Sequence, residues 1–173
     1  MMAHPGKKLL FMGQDIAEFD EWNENRSVEW ELLQYDQHKQ MQEYVKKLNS
    51  MYREYPALYA EDNDPEGFEW INADDKDRSI YSYVRKSENG RNNILVVLNM
   101  TPMERKDYQI GVDKKKKYKL LLNSDDVDFG GNGGTIPKEI TAKAVKCDNK
   151  PYSLTFDPVS YTHLRAHETC ADL

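Results

Sequence analysis

The sequence predicts an α+β chain in which a helix-bearing N-terminal part precedes an antiparallel β sandwich. Three observations carry this. Met41, Tyr44, Val45, Leu48, Met51, Tyr52 and Tyr55 recur at three- and four-residue spacing, which puts them on one helical face. From about residue 62, short aromatic and β-branched runs alternate with Gly, Asn, Asp and Pro punctuation, the pattern of a sandwich. Residues 7–12 form a short apolar run behind Pro5-Gly6, as in a strand buried on both faces, the habit of parallel sheets.

Taken in order, residues 14–35 read as an irregular stretch rich in carboxylates, with Trp22 and Trp30. The helix is predicted over residues 37–55. Asp36 is its expected N-cap, and Pro56 stops it by disfavouring α geometry in the residue before it. Glu43 and Lys47 form an expected i,i+4 pair. Strands follow at residues 68–71, 79–85, 94–98, 108–112, 118–122 and 152–156. Asn89-Gly90 is the strongest short hairpin signal among them. Residues 94–98 are apolar throughout, as a central strand covered on both faces would be. Residues 160–173 lack strand alternation. Residues 160–169 resemble a peptide that arises when sequencing-adapter DNA is read as coding sequence, so 160–173 are read as a non-native tail outside the fold.

The 173 residues carry a net charge of −6, with 39% hydrophobic and 31% charged side chains, so a packed core is expected. The acidic balance argues against nucleic acid and against a basic membrane-surface patch as partners. No apolar run approaches the ~20 residues of a membrane helix. Residues 9–12 are too short a run after Lys7-Lys8 for a signal peptide. Cys147 and Cys170 give no disulfide framework. A soluble cytoplasmic protein acting at the scale of carbohydrates or metabolites is the expectation.

Few constellations offer chemistry. His163, His167 and Cys170 have zinc-type spacing but lack a fourth ligand and a scaffold. Gly130-Gly131-Asn132-Gly133-Gly134 is followed by no Gly-Lys-Ser/Thr and reads as a flexible β connection. Residues 114–117, all lysine, read as a solvated turn. The segment from Gln14 to Trp30 is richer, because Asp15, Glu18, Asp20, Glu21, Glu24 and Glu29 follow directly on the expected parallel strand. Barrel enzymes place their sites at that end of their strands, and paired carboxylates do acid/base work. The simpler reading of these residues, as the solvated rim of a loop, is the one the sequence favours.

Several separated motifs agree on a resemblance. Residues 3–13 (Ala-His-Pro-Gly-Lys-Lys-Leu-Leu-Phe-Met-Gly), Glu21-Trp22, Val28-Glu29-Trp30, Leu48-Asn49 with Tyr52-Arg53, Gly67-Phe68-Glu69-Trp70-Ile71, Asn99-Met100-Thr101-Pro102 and the loop at 130–135 occur in the order seen in 1,4-α-glucan branching enzymes of the α-amylase superfamily. The chain resembles that family over about residues 1–159. The resemblance implies a truncated protein. Residues 1–60 would hold the last strand and helix of a catalytic (β/α)8 barrel, and 61–159 an α-amylase-type C-terminal all-β domain lacking its last strand. It also implies a retaining double displacement that transfers an α-1,4-glucan segment to a 6-hydroxyl, forming the α-1,6 branches of glycogen. No metal or organic cofactor is implied. The family's catalytic carboxylates match no position here, so the chain itself is expected to be inactive. Supporting contacts to an α-glucan are expected from Gln14, Asp15 and Trp22 at the barrel rim, and from Phe68 and Trp70 as stacking platforms. A non-catalytic glucan-binding or scaffold sandwich is the alternative. Self-association is expected where the helix stripe has lost its barrel partner.

Overall fold

The computed structural model describes residues 1–88, 90, 92–134 and 136–158, together with the backbone of 163–168. The strands are β1 (Phe68–Asp75), β2 (Ile80–Arg85), β3 (Ile94–Asn99), β4 (Tyr108–Val112), β5 (Lys117–Leu120), β6 (Glu139–Thr141), β7 (Tyr152–Phe156) and β8 (His163–Glu168). Six of them form one sheet in the order β1-β2-β3-β8-β5-β6, and β4 and β7 form a second. Every strand pairing described is antiparallel, as the sequence predicts.

The two faces of β3 explain its unbroken apolar run. Leu95 and Val97 join Ile80, Tyr108, Ile110, Tyr118, Leu154 and Phe156 in the sandwich interior. Ile94 and Val96 point the other way, into a second cluster with Ala57, Leu58, Tyr83 and the rings of Tyr52 and Tyr55. Strand alternation therefore feeds two cores from one element.

The helix α1 (Asp36–Glu54) supplies the outer layer. It follows the predicted span, but Asp36 is its first residue rather than the cap, and Tyr35 at the cap position makes no side-chain capping bond. The exposed ion pair joins Lys46 to Glu43 at 2.6 Å, one residue short of the expected partner. Between α1 and the sheet lies an apolar cavity of about 470 Å³, lined by Val45, Leu48, Leu58, Val96 and Leu122 among others. The stripe that the sequence left without a partner is thus partly covered by the sandwich.

Three expectations are corrected. Residues 7–12 form no strand. Leu9, Leu10, Phe11 and Met12 are all exposed, because a strand needs a neighbouring ladder and none of the described strands lies beside this segment. Arg85 pairs with Ile94, so residues 86–93 form a longer connection instead of a two-residue turn at Asn89-Gly90; Asn89 lies outside the described residues. The tail, expected to stand outside the fold, contributes β8 between β3 and β5. Among the described residues, no helix is long and apolar enough to cross a membrane.

Candidate functional site

The sequence-selected residues fall into two groups. Phe68 and Trp70 lie on β1, which starts from a 3-10 turn at Pro65–Gly67 whose Asp64 cap accepts from the Glu66 N–H at 2.8 Å. Gly67 is required in that turn, since a Cβ there would lie 2.3 Å from the Glu61 carbonyl oxygen. Two residues apart on a strand, Phe68 and Trp70 share a face. Their rings meet edge-on at 5.1 Å, and Trp70 stands at 5.4 Å from Tyr83, its cross-strand partner. Tyr83 is buried, whereas Trp70 keeps 46% of its surface in water at the sheet edge. On the same strand, Glu69 accepts from Lys86 at 2.6 Å and from Lys150, which also reaches Asp113 at 2.9 Å. Those lysine hydrogen bonds hold the Glu69 carboxyl below its ordinary range.

Gln14, Asp15 and Trp22 belong to a loop braced on α1. Gly13, at φ +76°, opens a 3-10 turn over Gln14–Ile16, and a Cβ there would collide with the Glu18 carboxylate at 2.0 Å. Gln14 and Phe11 exchange bonds: the Phe11 N–H donates to Oε1 at 2.9 Å, and the Gln14 N–H to the Phe11 carbonyl at 3.0 Å. Ile16 is fully buried, and its carbonyl meets His38 Nδ1, buried in the first turn of α1, at 2.7 Å. A cleft of about 450 Å³ results, lined by Phe11, Gln14, Glu18, Asp20, Glu21 and Trp22 among others. Trp22 stands edge-on to Phe11 at 5.9 Å and is half exposed. Asp15 is half-buried beside this cleft's Gln14 but is not among its lining residues. The structure therefore brings Gln14 and Trp22 together and, separately, Phe68 and Trp70.

The cleft's carboxylates are partly committed. Glu18 Oε1 accepts from the Glu29 N–H at 3.2 Å, and Asp20 accepts from Arg26 at 2.6 Å, a bond that raises the guanidinium's pKa. Carboxylates and an amide beside two exposed rings suit a polyhydroxylated ligand: oxygens accept from hydroxyls and flat rings cover C–H faces.

The glycine loop proves to be ordered rather than flexible. Asp125, buried, accepts from the N–H groups of Asn132 at 3.0 Å and Gly134 at 2.9 Å, and its own carbonyl accepts from Gly133 at 2.8 Å. Donors that a phosphate loop would offer to a ligand are spent on a protein carboxylate. Phe129 beside this loop packs on Tyr44 of α1 at 5.3 Å. Of the lysine run read as a solvated turn, Lys114 and Lys115 are exposed, whereas Lys116 is half-buried and Lys117 already begins β5. Of the zinc-spaced trio, Cys170 lies outside the described residues and His163 and His167 are placed by backbone alone; among the described residues no cluster suits a metal.

Residues 70–164, from the third residue of β1 into β8, match the family described as alpha amylase, C-terminal all-beta domain. The chain belongs to this family. Among curated relatives, it is 52% identical over 161 residues to the 1,4-alpha-glucan branching enzyme GlgB of Butyrivibrio fibrisolvens, covering 93% of this chain and 25% of that protein. It is 44% identical over 154 residues to the GlgB of Halothermothrix orenii, covering 89% and 24%. Against that of Aquifex aeolicus the identity is 42% over 170 residues, covering 97% and 27%. The chain spans about a quarter of the length of the curated relatives it matches. Within the family's all-β domain, Asn99 turns the chain out of β3: Oδ1 accepts from the Thr101 N–H at 3.1 Å, and Nδ2 donates to the Met103 carbonyl at 2.8 Å. That is a structural task for a motif that first served only as a resemblance.

Sequence reasoning missed Arg85. The side chain has no exposure, donates to Asp62 and to the Ala3 carbonyl at 3.2 Å, and shares Asp62 with Lys8 at 3.4 Å. Its place in the Tyr81, Tyr83, Arg85 alternation was the available signal. Burial, opposed by Asp62 and reinforced by Arg85, pushes the Lys8 pKa down.

Proposed function

We propose that this chain is the C-terminal part of a cytoplasmic 1,4-α-glucan branching enzyme of glycogen biosynthesis, and that by itself it holds α-glucan without branching it. The observation that carries the proposal is 52% identity across 93% of the chain to a branching enzyme of which that chain makes up 25%. In this reading, residues 1–60 are the end of the catalytic barrel, 61–159 the all-β domain, and 160–173 a non-native tail. The exposed run at residues 9–12 supports the first assignment, since it carries a barrel strand's apolar pattern without ladder partners. Gln14, Asp15 and Trp22 then rim the parent cleft, and Phe68 and Trp70 offer a second contact to the glucan.

The parent reaction is a retaining double displacement, which requires two carboxyl groups about 5 Å apart around the scissile bond. Glu18 and Asp20 are engaged by Glu29 and Arg26, which suits bracing better than proton transfer. No cofactor enters this chemistry.

Incubation of the purified chain with amylose, followed by debranching and chain analysis, is expected to give no rise in α-1,6 content; a measurable rise would overturn the inactive reading. In amylose-containing gels the chain is expected to be retarded. Trp70→Ala should weaken that retardation by about 1–3 kcal/mol of binding, as for other aromatic stacking platforms. Unchanged mobility of the variant, with cooperative unfolding intact, would return Trp70 to a packing role. A glucan-holding scaffold with no branching parent is favoured only by the exposed Trp70. It would be ruled out if the chain, added to a complementary N-terminal part of such an enzyme, restored branching.

A further inference from the structure

The chain carries its charge unevenly. Residues 15–31 hold seven carboxylates against Arg26, within a net charge of −6 for the whole sequence. Asp20, Glu21, Glu24 and Glu31 of this loop are exposed. Its described ion pairs stay internal, Arg26 meeting Asp20 at 2.6 Å and Glu29 at 3.5 Å, and none of them takes up Glu21, Glu24 or Glu31. Exposed Phe19, Trp22 and Trp30 stand among these carboxylates.

The opposite charge collects at the β5–β6 end of the larger sheet. Lys117 and Lys119, both exposed, lie about 7 Å apart on one face of β5, while Tyr118 between them turns into the sandwich core. Lys115 is exposed just before them. Lys143 is exposed where the Ala142 N–H, donating to the Lys116 carbonyl at 3.0 Å, carries the pairing one step past β6. Across from Lys117 and Lys119 lie Thr141 and Glu139, and the nearby Asp113 is already engaged by Lys150 at 2.9 Å. None of the described ion pairs includes Lys115, Lys117, Lys119 or Lys143. Exposed Val145 adds an apolar spot two residues beyond Lys143. Lysines that merely protect a sheet edge belong on the edge strand, which is β6; three of these four lie on or just before β5, one strand in.

We propose that this lysine face docks the acidic-aromatic loop, residues 15–31, of a second copy of the chain. Like charges crowded on one surface repel, and a surface of opposite sign relieves both patches at once. The charges steer the encounter and set its orientation, and the exposed rings of the loop then lose water against the face that carries Val145. The contact joins two different patches, so each docked copy still offers one of each, and copies add head to tail instead of closing as a symmetric pair. The helix stripe, partly covered by the sandwich, takes no part in it. The inference rests on charge and exposure and stands apart from any role in glucan chemistry.

Sedimentation velocity of the full chain at low ionic strength is expected to show a mass that grows with concentration. The association constant should fall about tenfold or more in roughly 1 M salt, where the screening length is about 3 Å. Lys117→Gln with Lys119→Gln, and separately Glu21→Gln with Glu24→Gln, should each weaken association about tenfold or more. Mixed together, the two variants should form a one-to-one pair and nothing larger, because one intact lysine face meets one intact loop. Lys39→Gln with Lys46→Gln removes the same charge from exposed positions on α1 and should leave the growth in place. Growth that persists undiminished in high salt, or that survives either of the first two glutamine pairs, would overturn the proposal and leave the exposed residues 9–12 as the contact. A chain that stays monomeric at low salt, a mixture that forms no pair, or an equal loss from the α1 substitutions would overturn it as well. The salt series is read on the unsubstituted chain, so that outcome does not depend on a variant folding.

Discussion

Arg85 holds a guanidinium where no water reaches it, and the charge is tolerable only because Asp62 and the Ala3 carbonyl stand in for solvent. Removing one partner of a buried pair leaves the other uncompensated, at a cost of about 3–5 kcal/mol. Asp62→Ala is accordingly expected to destabilise the chain by that amount in urea unfolding. A loss under 1 kcal/mol, about that of a surface pair, would mean that water reaches Arg85 after all. Glu69 gives a pH dependence. Its carboxyl is held low by Lys150 and Lys86, so its contribution is present above the unfolded value near 4.5 and is lost as pH falls through the lower folded value. Melting temperature should fall as pH drops below about 4.5, and Glu69→Gln should flatten part of that fall. Neither residue was legible from the sequence as part of a network. Asp62 and Arg85 lie 23 positions apart, and the turn leading into β1, whose Phe68 pairs with Arg85, makes them neighbours. Trp70, by contrast, could be picked out as a stacking candidate because it sits in a short aromatic run at the start of the β region, although that run does not say whether it is exposed.

At the scale of elements, strong periodicity was readable and weak periodicity was not. The stripe from Met41 to Tyr55 located α1 to within a residue or so at each end, and alternation located β4 and β7. β6, three residues long with one half-buried side chain, is too short to show a period. Residues 7–12 show the reverse: an apolar run carries a strand's pattern, yet a strand exists only where another ladder meets it. The glycine loop was misread as flexible because its order comes from one side chain, Asp125, folding the backbone around itself. Asp125→Ala should leave those N–H groups without their acceptor, costing about 1–3 kcal/mol. Amide exchange at Asn132 and Gly134 should accelerate well before global unfolding. Unchanged exchange there would show that the loop is held instead by its contacts with α1 through Phe129 and Gln40.

For the whole molecule, the distribution of exposed apolar surface decides behaviour in solution. The N-terminal part keeps Leu9 to Met12 exposed, and Phe19, at 79% exposure, stands next along the chain with Trp22 and Trp30. Their concentration in one stretch is the condition under which apolar surface drives association instead of staying innocuous. The sandwich packs most of its strand aliphatics into two clusters, and its central strand β3 is paired on both sides. Opening free energies follow that contrast. Amides of residues 1–35 should exchange fast and those of Ile94–Asn99 slowest. Sedimentation velocity should show a mass that rises with protein concentration. Leu9→Ser should reduce that rise with little shift in the melting transition, because the Leu9 side chain is already largely exposed. A strictly monomeric chain with uniformly slow exchange from residue 7 onward would mean that the N-terminal part buries this surface by itself, and its reading as an element built to pack under a larger catalytic body would fall.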